Sequence, residues 1–385
     1  METRAEHAAK MVDYCDRGER LANAIGNRGP LRFDEDGGLA SDILDAYSTN
    51  GFYIFEGVIE STELEELRVG VDDLLSRAPV RPRAEHDATG RPAFGRDLAI
   101  DPFLFIKPLS DPWGGTTLLA GRHPTQMEQP AADADAPEYV VHLISGVCQA
   151  IPAGLRLYGH PQLLGVAAAL NGADFVPYND VIFVKQPGLG GAVSWHQDGA
   201  THWESPDWDD SIHGFNFQVQ LHRTTAANAL WVMPGTHKSG RINVTGLVSD
   251  NGGDERLPGA VPLVCAAGDV TIVNRQLLHG SFVNSSPDPR LSITFGFHRR
   301  SSVLGVEGKL QYKADVPGQA DLYDEERIFI RSAVIATAID ARSQHFLGES
   351  RFRYAPFVGL EHDYRYNDDT YERVLRDYNT RDIFI

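Results

Sequence analysis

From Phe175 onward the chain breaks into short apolar runs, each cut off from the next by clusters of Gly, Pro, Asn and Asp. Val181 to Val184, Phe215 to Leu221, Ala229 to Val232, Val261 to Cys265, Val270 to Val273 and Leu291 to Phe297 all have the length of strands. Such runs, not alternating with long helical patterns, predict an antiparallel sandwich or barrel rather than parallel βαβ units. At 385 residues the chain exceeds a typical domain, yet large β enzymes with helical additions reach this size as one unit. The reading is a mainly β fold with helical additions, a single enlarged domain over 1–385 whose barrel spans 175–300.

The flanks read differently. Residues 31–78 predict helix, strand, helix: Leu39 to Tyr47, then the glycine-bounded run Gly51 to Val58, then a helix with Leu64, Leu67, Val71, Leu74 and Leu75 on one face. Thr62 and Glu65 have the spacing of a capping box at its start. Residues 79–137 are rich in Pro, Gly, Asp and Arg, too long for an ordinary connection, and suit a cover over the barrel. Tyr139 to Ala150 and Pro161 to Leu170 carry helical patterns. In the extension 309–385, Arg327 to Phe346 is helix-compatible and Thr370 to Tyr378 suits a shorter helix. Its aromatic residues Phe352, Tyr354, Phe357, Tyr364 and Tyr366 need burial, on the barrel or on a second copy of the chain in a homodimer.

Charge narrows the partners. With 53 acidic and 35 basic side chains the formal charge is -18, a field that repels phosphate backbones and anionic lipid surfaces. No nucleic-acid or membrane partner is expected. Cys15, Cys148 and Cys265 lie far apart, without a paired framework or a zinc spacing, which suits a cytoplasmic setting. Met1 to Asn27 mixes charges with alanines and has no apolar stretch of the kind a secretory signal needs. No uninterrupted apolar run of about 18 residues is present to span a bilayer.

The chemistry sits inside the strand-rich region. His196 and Asp198, two positions apart on an extended run, share a side because strand side chains alternate. With His279 on a later run they supply two imidazoles and a carboxylate, the three-donor face that holds a non-haem Fe(II) and leaves positions open. Ser281 points the way His279 does, and Gly280 allows the backbone to bend near the metal. Arg290 opens an alternating strand, and its planar guanidinium is suited to paired hydrogen bonds with the distal carboxylate of a keto acid.

These motifs, Trp195 to Asp198, then Met233 to Gly240, then His279 to Ser281 and Arg290, resemble the phytanoyl-CoA dioxygenase family of Fe(II)/2-oxoglutarate-dependent oxygenases. The run Asn50 to Val58 and the amphipathic helix after it look like that family's opening, so the likeness covers roughly Leu39 to Arg299. It implies a double-stranded β-helix, the jelly-roll core, flanked by N- and C-terminal helices. It implies His196, Asp198 and His279 as catalytic iron ligands, Arg290 and Ser281 on 2-oxoglutarate, and O2 as second co-substrate. A further upstream contact to 2-oxoglutarate falls to Lys107, with Lys185 the other lysine in place. Where the family has Asn-Gly before its Pro-Gly turn, this chain has Ala226 to Ala229, a departure that touches no ligand. Asp198 is retained where halogenating relatives carry a small residue, which disfavours halogenation.

The activity implied is oxidation of an unactivated C–H of a small-molecule substrate, expected as hydroxylation, with succinate and CO2 as co-products. Desaturation, cyclisation and epimerisation are open to the same site. His202, Trp203, Arg96 and Trp113 are candidate substrate contacts, and Arg91 lies in the same insert. His237, in a Pro-Gly-Thr-His turn, reads as structural. The acidic run Glu204 to Asp210 reads as a solvated loop, with a lid that disfavours anionic substrates as the functional reading. Two other classes compete with the oxygenase. A non-catalytic jelly-roll binding protein needs no intact donor set, and a metal-dependent hydrolase or isomerase needs no Arg290.

Overall fold

The computed structural model describes residues 2–198, 214–310 and 320–383. The principal helices are α1 (Arg4–Ile25), α2 (Ser41–Asn50), α3 (Ser61–Ser76), α4 (Val147–Ala150), α5 (Pro152–Tyr158), α6 (Pro161–Asn171), α7 (Val244–Asp250), α8 (Arg300–Val303) and α9 (Glu325–His345). The strands are β1 (Arg28–Gly29), β2 (Phe52–Phe55), β3 (Phe103–Ile106), β4 (Val140–Ser145), β5 (Val176–Lys185), β6 (Val193–His196) and β7 (Gly214–Gln220). They continue with β8 (Trp231–Val232), β9 (Val261–Pro262), β10 (Val270–Asn274), β11 (His279–Ser281) and β12 (Arg290–His298).

An eight-stranded sheet in the order β1-β2-β10-β7-β12-β5-β4-β3 and a four-stranded sheet in the order β6-β11-β8-β9 make the jelly roll. Every pairing in them is antiparallel except β1 with β2.

Side-chain alternation decides what each face of the large sheet does. Phe215, Phe217 and Val219 on β7 and Ile293, Phe295 and Phe297 on β12 are buried in one core with α3, α5, α6 and α9. Their neighbours Asn216, Gln218, Arg290 and Thr294 turn the opposite way and line an interior cavity. One period-two pattern therefore builds the hydrophobic core and the polar wall of the site. Burying a phenylalanine fully is worth roughly 1.5–3 kcal/mol, so this row contributes strongly to holding the strands in register.

Several sequence expectations are corrected. Tyr139 to Ala150 is not one helix: Val140–Ser145 is strand β4, and only Val147–Ala150 is helical. Gly146 takes the left-handed conformation (φ 79°) between them, and its amide donates to the Asp180 carbonyl of β5, so sheet pairing overrides the helical pattern. Helix α3 begins at Ser61 with Glu60 at the cap position and no side-chain cap bond, so Thr62 and Glu65 form no capping box. Thr370 to Tyr378 is broken into a turn at Asp368–Thr370, a wide π-turn at Tyr371–Leu375 and a 3-10 turn at Tyr378–Arg381. Asp377 at positive φ separates the last two.

Helix α1 answers to no sequence prediction. It starts at a capping box formed by Thr3 and Glu6 and lies against β9, with Tyr14 stacked on Trp231 at a ring separation of 4.4 Å. The approach is close at Gly18, where a Cβ would stand 2.5 Å from the Trp231 ring. Among the described residues, no helix is long and apolar enough to cross a membrane.

Candidate metal centre

His196 ends β6 and His279 opens β11, and the two are paired across the small sheet. Their ring centroids are 4.1 Å apart. Asp198 follows two residues after His196, anchored by its amide donating to the Arg275 carbonyl at 2.8 Å. One donor atom from each of the three side chains lies within 4.8 Å of the others, all buried. Gln197 turns away, bonding the Gly240 and Gln276 carbonyls and the Ile242 amide. The two do not share one strand as expected: β6 ends at His196, and Asp198 comes to the same site from a bend just beyond it, held by its bond to Arg275.

The hydrogen bonds prepare these donors. Nδ1 of His196 lies 2.9 Å from the Ser194 carbonyl, and Nδ1 of His279 lies 2.8 Å from the Leu277 carbonyl. A carbonyl only accepts, so each Nδ1 carries the proton and each Nε2 presents a lone pair. Burial, reinforced for His196 by the neighbouring His279 and His123, holds both imidazoles below their ordinary range and therefore neutral. Burial alone would push the Asp198 carboxyl up, but Arg275 and Arg122 outweigh it and keep the group ionised. Arg122 reaches Oδ1 at 3.0 Å and the Asn216 amide donates to Oδ2 at 2.9 Å. Two neutral imidazoles and one ionised carboxylate, all desolvated, fit Fe(II).

Gly280 is required by close approach. A Cβ there would lie 3.0 Å from the Val193 carbonyl of β6, at a bulge in the pairing between His279 and Ser281. Beyond it, Ser281 and Arg290 line the same cavity of about 590 Å³ as the three donors. Arg290 is buried; its Nη2 donates to Gln218 Oε1 at 3.0 Å, while Nε has no partner. Burial draws its pKa down to about 10, which still leaves it a cation at neutral pH.

Other sequence candidates divide. Trp113 lines the cavity and packs on His123 and His142. Arg96 does not line it; it pairs with Asp101 at 2.8 Å, and Asp101 is the residue in the wall. Lys107 is exposed just past β3, where its carbonyl accepts from the Ser110 hydroxyl. Lys185 is fully buried opposite Arg290, but its ammonium is committed to the Phe282 carbonyl at 2.6 Å. Neither lysine lines the cavity. His202, Trp203 and the acidic run Glu204 to Asp210 lie outside the described residues. His237 is buried away from the site, its Nε2 3.0 Å from the Ser48 carbonyl.

Of the residues that sequence reasoning passes over, four reach the site from outside the strands. Arg122 and His123 come from the 79–137 segment beyond β3, and the His123 ring packs against His196, tilted by 38° at a centroid separation of 4.1 Å. Asn379 and Asp382 arrive from the C-terminal end and complete the cavity wall. None has a spacing that marks it. Asn216 is different, because the alternation of β7 places it on the polar face.

The model of the phytanoyl-CoA dioxygenase (PhyH) family matches residues 47–292. The ectoine dioxygenase of Halomonas elongata is 24% identical over 288 residues, 70% of this chain and 73% of that protein. Phytanoyl-CoA dioxygenase 1 of Oryza sativa subsp. japonica is 32% identical over 29% of this chain and 40% of its own length. The crystal structure of EctD from S. alaskensis in its apoform is similar in fold, with a TM-score of 0.50 at 18% identity, covering 77% of this chain and 88% of that one.

Proposed function

The chain belongs to the phytanoyl-CoA dioxygenase family, and we propose that it oxidises an unactivated C–H of a small organic molecule at the His196, Asp198 and His279 centre, by hydroxylation. The carrying observation is the set of three buried donor atoms within 4.8 Å, two of them lone pairs freed by backbone carbonyls. Fe(II) bound there, with 2-oxoglutarate and O2, supplies the oxidation and yields succinate and CO2 as co-products.

The protein's part is to hold and to exclude. His196 and His279 bind through Nε2, and Asp198 binds as a carboxylate kept ionised by Arg122 and Arg275. Arg290 takes the distal carboxylate of 2-oxoglutarate, assisted by the Ser281 hydroxyl, and its unpartnered Nε is a donor still to be satisfied. Gln218 fixes the guanidinium plane. Trp113 keeps water from the metal side of the cavity.

Desaturation, cyclisation and epimerisation use the same residues and differ in where the substrate is held. A non-catalytic binding protein has no need of a desolvated, ionised Asp198 beside two imidazole lone pairs. The proposal extends to a single enlarged domain working in the cytoplasm, without a nucleic-acid or membrane partner, and to a homodimer, although the aromatic residues of the C-terminal extension find their burial within the chain: Tyr354 and Phe357 lie in its main core, with Phe352, Tyr364 and Tyr366 packed against it. The net charge of -18 supports the exclusion of phosphate-rich partners.

Purified protein given Fe(II), 2-oxoglutarate and air is expected to form succinate, and His196→Ala and Asp198→Ala to form none. Succinate formation undiminished in either variant refutes the assignment.

A further inference from the structure

Charged groups in the cavity wall are largely matched within the protein. Asp198 is held by Arg122, Asp101 by Arg96, and Asp382 by Arg331. Asp180 is the exception: one oxygen accepts the Cys148 amide at 2.7 Å, the other has no partner among the described residues, and burial pushes the carboxyl up to about 6. Arg275 lies over the Tyr178 ring at 4.1 Å. Arg290 faces the place assigned above to 2-oxoglutarate.

Uncharged groups are left over. Asn179 on β5 and Asn379 in the C-terminal segment both line the cavity, and neither side chain has a hydrogen-bond partner among the described residues. Asn379 is only 9% exposed. A buried carboxamide without a partner is costly, so a ligand or water has to meet it. Phe103, Leu143 and Phe183 add apolar surface to the same cavity. A cavity of about 590 Å³ has the size that encloses a drug-sized molecule.

We propose that the substrate is an uncharged, mostly hydrocarbon molecule bearing hydroxyl or carbonyl oxygens, and that Asn179 and Asn379 read those oxygens. A CoA thioester brings several phosphate charges and a zwitterion brings two, and each needs counter-charges that this wall already spends on its own residues. A hydroxyl or carbonyl asks only for a neutral donor or acceptor, which a carboxamide provides in both senses. Asn379 lies beyond the 47–292 region matched by the family model, so this one part of the wall comes from the C-terminal extension.

The proposal rests on the oxygenase reading, and the test separates the two. Basal succinate from Fe(II) and 2-oxoglutarate is measured first; its absence overturns the oxygenase reading and the substrate class with it. With basal succinate present, the probes are a fused-ring hydroxyketone, a macrolactone and a long-chain diol, each beside its amine, carboxylate and CoA-thioester counterpart. Neutral members are expected to stimulate succinate release and to gain one oxygen by mass. Stronger stimulation by any charged counterpart, or none by every neutral member, overturns the substrate class alone. Asn379→Leu is expected to raise the half-saturating concentration of the best neutral probe about tenfold, the worth of one hydrogen bond. An unchanged value removes Asn379 from recognition.

Discussion

The guanidinium of Arg331 on α9 grips both oxygens of Asp382, at 2.5 and 3.1 Å, and neither side chain reaches solvent. Asp382 also lines the active-site cavity, so this pair ties the end of the chain to the wall of the site. Removing one partner strands the other as a buried charge, a loss of about 3–5 kcal/mol. Arg331→Met is expected to lower the denaturation midpoint sharply, and Arg331→Met with Asp382→Leu to recover most of it. A double variant no more stable than the single would show that the pair is not the source of the loss.

Asn216 lines the cavity and donates to Asp198 Oδ2 at 2.9 Å. Partners of this kind orient a ligating carboxylate, and their loss weakens metal binding about 10–100-fold. Calorimetric titration of Asn216→Ala with Co(II) as a redox-stable probe should show a weakening in that range, while Asn216→Asp brings a second negative charge beside Asp198 and should not restore the native affinity. Native affinity in Asn216→Ala contradicts the role.

Arg290 presents its guanidinium where the co-substrate is expected. Hydrogen bonds to a charged group contribute roughly 1.5–3 kcal/mol, so Arg290→Ala should weaken 2-oxoglutarate binding at least tenfold. Arg290→Lys keeps the charge without the paired geometry and should fall between the two. Equal affinity in all three proteins would remove Arg290 from co-substrate binding.

Glu255 gives the stability a pH dependence. Burial first, then the nearby Glu128 and Asp254, push its carboxyl from the ordinary 4.5 up to about 7. The folded state therefore binds this proton more tightly than the unfolded state. Its contribution is fully present below about pH 4.5 and is lost as pH rises towards 7. Glu255→Gln should flatten the fall in melting temperature across that window; parallel curves for the two proteins would exclude Glu255 as the cause.

Gly18 sits where α1 meets Trp231, and any side chain there collides with the indole 2.5 Å from its Cβ. Gly18→Val should destabilise by about 1–3 kcal/mol through overpacking, although the substitution removes a glycine from a helix interior. Urea denaturation with an unchanged or raised midpoint would show that α1 is free to lift off the sheet.

Legibility in the sequence follows the range of the interactions. Strands β7, β10 and β12 are readable because an alternating face is written into consecutive residues. The pair His196 and Asp198 is readable from its spacing, although the strand ends at His196 and a bend, not strand alternation, carries Asp198 to the site. Strand β4 carries β-branched Val140, Val141 and Ile144, which suit a strand, so the helix reading missed a local signal that pairing with β3 and β5 reinforces. Lys107 and Arg96 are candidates by residue type alone, in an irregular segment where nothing local fixes which side chain faces inward. Arg122, His123, Asn379 and Asp382 reach the cavity through tertiary packing alone. They meet the donors only once distant segments have folded back onto the strands, so no local pattern marks them.

The cavity joins strands that hold the donors to a tail that lies beyond them. His196, Asp198, His279, Ser281 and Arg290 lie on or beside the paired strands, so in the proposed function a change in any of them disturbs metal or co-substrate binding. Asn379 stands outside that framework, pinned through Asp382 to a single helix. Selection can therefore alter what the enzyme accepts without altering how it oxidises, and exchanging tails between relatives is a route by which one reactive centre acquires new clients.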